Sequence, residues 1–96
     1  MVSLESNVRP KKDVVFQELD GEAVILNTQT GIYYGLDSVG TRMWNLLAEH
    51  GKVETAYVML LKEYDVTEER LRKDLLGLIQ KLESKGLVEI TEEQAS

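Results

Sequence analysis

Residues 22–40, EAVILNTQTGIYYGLDSVG, join two strand signals, a turn and a helix start with no spare linker between them. Ala23, Val24, Ile25 and Leu26 are apolar in a row, the pattern of a strand covered on both faces. Asn27-Thr28-Gln29-Thr30-Gly31 reads as a hairpin loop, with Gly31 free to turn left-handed. In the strand that follows, Ile32, Tyr34 and Leu36 share one face, and Tyr33 and Gly35 the other. Asp37 or Ser38 then caps a helix. A hairpin that runs straight into a helix must pack one layer on the other, which points to an α+β domain.

The flanking segments extend this plan. Residues 13–18 predict a first strand, turned into the second by Asp20-Gly21. Residues 1–12, polar and holding the one proline, read as a flexible N-terminal arm. Val39, Met43, Trp44, Leu46 and Leu47 recur at helical spacing, with Gly51 as the stop. A second helix is expected over 54–63, with Val53, Tyr57, Leu60, Leu61 and Tyr64 marking its buried stripe. A third is expected over 67–85, capped by Asp65 or Thr67, with Leu71, Leu75, Leu78 and Leu82 inward. Gly86 ends it, Val88-Glu89-Ile90 adds a short strand, and 91–96 form a disordered tail. The expected fold class is α+β, a winged helix-turn-helix: a three-stranded antiparallel N-terminal sheet followed by three helices, within one domain over 13–90.

Composition narrows the function. The chain has 96 residues, no cysteine and a formal charge of −6, which removes disulfides, thiolate metal sites and a cysteine nucleophile. His50 is the single histidine, at a helix end, where it reads as a terminal polar group. The serines lack a base, and the acids lie along solvated helix faces. No catalytic residue, metal site or cofactor is therefore expected. No membrane span or signal segment is apparent, so a soluble cytoplasmic protein is the expectation. A winged-helix DNA-binding regulator is the alternative suggested by the fold outline. Against it, the third helix carries five cations (Arg70, Arg72, Lys73, Lys81, Lys85) and four anions (Glu68, Glu69, Asp74, Glu83), too balanced to hold phosphates.

The stretch Ile32–Leu36 has a different use. As the outer strand of a meander it exposes unpaired backbone groups, and it lacks the charges or proline that usually blunt such an edge. An added strand from a peptide could pair there. On the third helix, Leu76 and Ile79 lie around the cylinder from the expected core stripe, with Arg72 and Lys73 near them. They would floor a groove beside the edge. A third possibility is that the edge pairs with a second copy of the chain as a homodimer.

Taken together, VILNTQTGIYYGLDSVGTRMWNLL and DLLGLIQKLESKGLV resemble the PqqD family. The shared features are an Asn-x-x-Thr-Gly turn, a Tyr-Tyr-Gly-Leu strand, a Val-Gly-x-x-x-Trp helix and a closing Gly-Leu, in that order over about residues 14–90. The resemblance implies a non-catalytic, peptide-binding adaptor. Such a domain captures the leader of a ribosomally synthesised precursor peptide and presents it to a modifying enzyme, such as a radical S-adenosylmethionine protein, in pyrroloquinoline quinone or related peptide pathways. Carried onto this chain, it puts backbone pairing at Ile32, Tyr33, Tyr34, Gly35 and Leu36. Groove contacts then fall at Arg72, Lys73, Leu75, Leu76 and Ile79. Arg72 and Lys73 would steer an acidic leader, and a proline at Tyr34 would remove a donor that the leader needs.

Overall fold

The computed structural model describes residues 2–92. Its order is β1 (Ser6–Pro10), β2 (Val14–Leu19), β3 (Glu22–Asn27), β4 (Tyr33–Gly35), α1 (Ser38–His50), α2 (Val53–Glu63), α3 (Glu68–Ser84) and β5 (Val88–Glu92). The fold is α+β, with three helices and two antiparallel sheets: β2-β3-β4, and β1 paired with β5.

Turn chemistry sets the larger sheet. Asp20 and Gly21 hold φ of 55° and 80°, the two-residue geometry whose twist suits a tight hairpin. β2 and β3 are thereby locked from Val14 opposite Asn27 to Leu19 opposite Glu22. The next loop is organised by Asn27, which is buried. Its Oδ1 accepts from the amides of Gln29 (2.9 Å) and Thr30 (3.1 Å), and its Nδ2 donates to the Gly86 carbonyl (3.0 Å). One side chain thus shapes the β3–β4 loop and ties it to the end of α3. Gly31, at φ 78°, completes the turn.

β4 runs directly into α1. Asp37 is the N-cap, its Oδ1 accepting from the Gly40 amide at 2.8 Å. A Cβ on Gly40 would lie 3.2 Å from Leu36 Cδ2 and 3.3 Å from Asp37 Oδ1, so glycine permits this tight approach of helix to strand end. Thr41, buried, accepts from the Ala23 amide through Oγ1 (2.8 Å) and donates to the Leu36 carbonyl (3.4 Å). It bolts the first turn of α1 to β3 and to the exit of β4. The core beneath joins Ile25, Trp44, Leu46, Val53, Leu60 and the inner face of α3. Phe16 meets Trp44 edge-on, ring centroids 5.5 Å apart. At the far side of α1, Arg42 grips Glu63 of α2 through two bonds of 2.8 and 2.7 Å, which hold the Glu63 carboxyl below its usual range.

Several expectations are corrected. Residues 6–10, expected to belong to a flexible arm, form β1, with Val2, Ser6 and Val8 buried. The expected short strand after Gly86 is β5, and β1 pairs with it from Pro10–Val88 to Ser6–Glu92. β1 packs on α1 and α2, and β5 on α3. Of the expected tail, Thr91 and Glu92 belong to β5 and 93–96 lie outside the described residues. The capping partner of α3 is Thr67, accepting from the Arg70 amide at 3.1 Å, and not Asp65. β3 is not covered on both faces: Ala23 and Ile25 point into the core, whereas Val24 is 49% exposed. With Val15, Leu19 and Tyr33 it forms an open apolar face on the outer side of the sheet.

The stripe on α3 is also displaced. Its buried residues are Leu71, Leu75, Ile79 and Leu82, and Leu78 is only half-buried. Exchanging 78 for 79 keeps Leu71, Leu75 and Leu82 inward and shifts the centre of the buried face by about 25°, a quarter of the roughly 100° between successive helical residues. Both sets satisfy helical periodicity, so spacing alone does not choose between them. The structure does, because Ile79 has 0% exposure.

Candidate functional site

β4 hydrogen-bonds to β3 alone and is an edge of the sheet. Which of its backbone groups face outward follows from its register. Ile32 accepts from the Asn27 amide (2.9 Å), and the Leu36 amide donates to Ala23 (2.8 Å). Tyr34 opposite Ile25 falls midway between them. Antiparallel pairs alternate between bonded and non-bonded positions. The amides of Tyr34 and Leu36 therefore turn toward β3, and those of Tyr33 and Gly35 toward solvent. The five-residue pairing segment Ile32–Leu36 thus reduces to two outward positions, Tyr33 and Gly35. A proline at Tyr34 would break the domain's own sheet instead of blocking an incoming strand.

Beside this edge runs a cleft of about 440 Å³ between β4, the start of α1 and α3. Tyr34, Gly35 and Leu36 form one wall, Asp74 and Leu78 the other, and Val39 and Met43 line the base. Val39, Met43 and Asp74 also line a second hollow of about 530 Å³ that reaches Val66 and Leu71, so the two adjoin. Along α3 the wall continues with Lys81 and Lys85, whose Nζ atoms lie 5.9 and 5.6 Å from the centre of the Tyr34 ring. Asp74, Leu78, Lys81 and Lys85 step by four, three and four, which is one face of a helix. That face is adjacent to the core stripe on the side toward β4.

The expected groove residues separate against this frame. Leu75 and Ile79 have 0% exposure and belong to the core, so they meet no ligand in this conformation. Leu76 and Arg72 lie on the opposite flank of α3, against the segment Val2–Glu5. Arg72 also lines a small hollow with Tyr57, Glu68 and Glu69. Lys73 is exposed, about 100° around the helix from Asp74. None of these five borders the cleft beside β4. The residues that do include Val39, Met43, Asp74 and Leu78, and these were not among the expected groove contacts; nor were Lys81 and Lys85, which lie over the Tyr34 ring at its margin. The available signals were Val39, an apolar residue in the first turn of α1, and the spacing of Leu78 with Lys81 and Lys85.

The surroundings offer little chemistry. His50 Nε2 lies 3.8 Å from the neighbouring Glu49 carboxylate. Among the described residues, no group of three or more His, Cys, Asp or Glu could hold a metal ion, and no helix is long and apolar enough to cross a membrane. A strand with one free edge beside a partly apolar cleft is a layout that can accept an added strand.

The profile of the PqqD family, described as coenzyme PQQ synthesis protein D, matches residues 22–88, and the chain belongs to that family. Among solved structures it is similar to TbiB1 in complex with the TbiA(beta) leader peptide, at 37% identity and a TM-score of 0.80, covering 84% of this chain and 94% of that one. It also shares the fold of a lasso peptide synthetase B1 complexed with its leader peptide, at 19% identity and a TM-score of 0.78, covering 86% and 98%. No curated protein matches the sequence.

Proposed function

We propose that this chain is a non-catalytic adaptor that captures the leader of a ribosomally synthesised precursor peptide and presents it to a modifying enzyme. The carrying observation is the open edge at Tyr33 and Gly35 next to a cleft lined by Val39, Met43 and Leu78. The TbiB1 complex supports the same use of a closely similar domain. Within this reading, the leader adds to β4 as a fourth strand, its alternate side chains entering the cleft. The α2–α3 pair, joined across residues 64–67, fits a helix-turn-helix and β2-β3-β4 a wing, so the finer fold is a winged helix-turn-helix turned to peptide use. A DNA-binding role is disfavoured, because Arg70 on α3 is already engaged by Asp74 at 3.4 Å and the chain carries −6 overall.

The energetics suit transient capture. Net hydrogen bonds are worth about 0.5–1.5 kcal/mol each, and each buried apolar anchor about 1.5–3 kcal/mol. Ordering a flexible leader costs several kcal/mol in return.

The test uses a displayed library of random unstructured peptides together with the TbiA(beta) leader. Binders with spaced apolar residues are expected, and their affinities can be followed by fluorescence anisotropy. Leu78→Gln should weaken the best binder about tenfold, since a half-buried wall residue loses part of an apolar contact. Leu76→Gln, on the other flank, should change it less than about twofold. Recovery of no binder by the folded protein, or equal loss from both substitutions, would contradict the proposal.

A further inference from the structure

The cleft is charged differently at its two ends. α3 runs alongside β4 in the opposite sense: Asp74 lines the cleft with Leu36 and Asp37, whereas Lys81 and Lys85 reach Tyr34, and Gly86 is bonded to Asn27 beside Ile32. The exit of β4 therefore carries Asp37 and Asp74, and its entry carries Lys81 and Lys85. Asp37 is occupied as a helix cap, and Asp74 faces Arg70 at 3.4 Å. Neither lysine has a carboxylate partner among the described residues. In a chain with 17 acids against 11 cations, two adjacent unneutralised ammonium groups over one aromatic ring are a specific local departure. Lys81 is exposed and Lys85 half-buried, so both can reach a ligand on the edge.

We infer that Lys81 and Lys85 are specificity-determining residues that select a leader with a carboxylate on the C-terminal side of its apolar anchors, and that they thereby fix the direction in which it binds. This rests on the strand-addition reading above. A leader antiparallel to β4 enters at the Leu36 end and leaves at the Ile32 end, running parallel to α3. Its apolar side chains meet Val39, Met43 and Leu78 first, and the following residues pass the two lysines. An Asp or Glu there gains their attraction, whereas a Lys or Arg is repelled. Reversing the peptide would carry the same carboxylate to Asp37 and Asp74. In that alignment the carboxylate gives up the attraction of both lysines, which is what sets the direction.

The experiment pans the random peptide library against three forms of the full chain: the parent, Lys81→Gln/Lys85→Gln, and Arg72→Gln/Lys73→Gln. The last removes the same number of charges from positions outside the cleft. The parent is expected to enrich Asp or Glu at a fixed offset C-terminal to the apolar anchors. The Lys81/Lys85 variant should keep the anchors and lose the acidic preference, while the Arg72/Lys73 variant keeps both. Affinity of an acidic binder should fall about tenfold in the Lys81/Lys85 variant at low salt, and less at high salt, where exposed charges are screened. Anchors enriched without acidic bias, or with the acid on the N-terminal side, would overturn this inference while leaving strand addition in place. Recovery of no apolar anchors at all would remove both.

Discussion

Tyr33→Pro is expected to abolish most peptide capture while leaving the domain folded. Tyr33 opens β4 and its amide faces solvent, and an edge strand tolerates proline where no ladder bond is lost. Its side chain is 69% exposed, so little packing is removed. A bound leader, in contrast, loses one of two outward donors and meets a ring where its backbone must approach. One lost hydrogen bond alone is worth about 0.5–1.5 kcal/mol. With the steric block added, a fall in affinity beyond about tenfold is expected. Tyr33→Thr controls for the missing aromatic ring. The companion variant Tyr34→Pro should behave in the opposite way, lowering the melting temperature because it deletes a bond between β4 and β3. Circular dichroism melts alongside anisotropy titrations separate the two. Unchanged affinity in a folded Tyr33→Pro variant would rule out pairing at this edge.

Trp44→Ala should have the largest effect on stability. Trp44 is 1% exposed, lies between α1 and the sheet, and receives the edge of Phe16. Truncating a buried aromatic to alanine costs about 3–5 kcal/mol, a large share of the roughly 5–15 kcal/mol that holds a typical domain together. For a chain of this size the melting point should drop by at least about 15 °C. Trp44→Phe should be much milder. It keeps a ring in place, and it removes an indole N–H that is buried without a hydrogen-bond partner, offsetting part of the lost volume. Since α1 also supplies Val39 and Met43 to the cleft, the alanine variant should bind peptide poorly as well. A melt within a few degrees of the parent would show that Trp44 is not the centre of this core.

The parts of the fold that were legible in the sequence are those fixed by local chemistry. Asp20-Gly21, Gly31, the Asp37 cap and Gly51 each impose one backbone geometry, and each stands where its residue type required. The edge strand was legible too, because it follows its hairpin partner and runs straight into a helix, with no adjacent strand signal to cover its other side. β1 was not, since its partner lies about 80 residues away and its five residues include Ser, Asn, Arg and Pro. Nor was the inner face of α3. Leucines and isoleucine at 71, 75, 76, 78, 79 and 82 allow two overlapping stripes, and only the position of the sheet decides which one is buried. With Ile79 turned inward, Leu78 is the residue that lines the cleft beside β4. On the proposed reading the neighbouring cations are then Lys81 and Lys85, beside Tyr34, and not Arg72 and Lys73.

Backbone amide hydrogen exchange, followed residue by residue by NMR with and without a bound peptide, tests the central claim most directly. In the free domain the Tyr34 and Leu36 amides should be protected and those of Tyr33 and Gly35 should exchange quickly. At saturating peptide, Tyr33 and Gly35 should slow together. Rapid exchange at both positions in the fully bound state would contradict strand addition at β4.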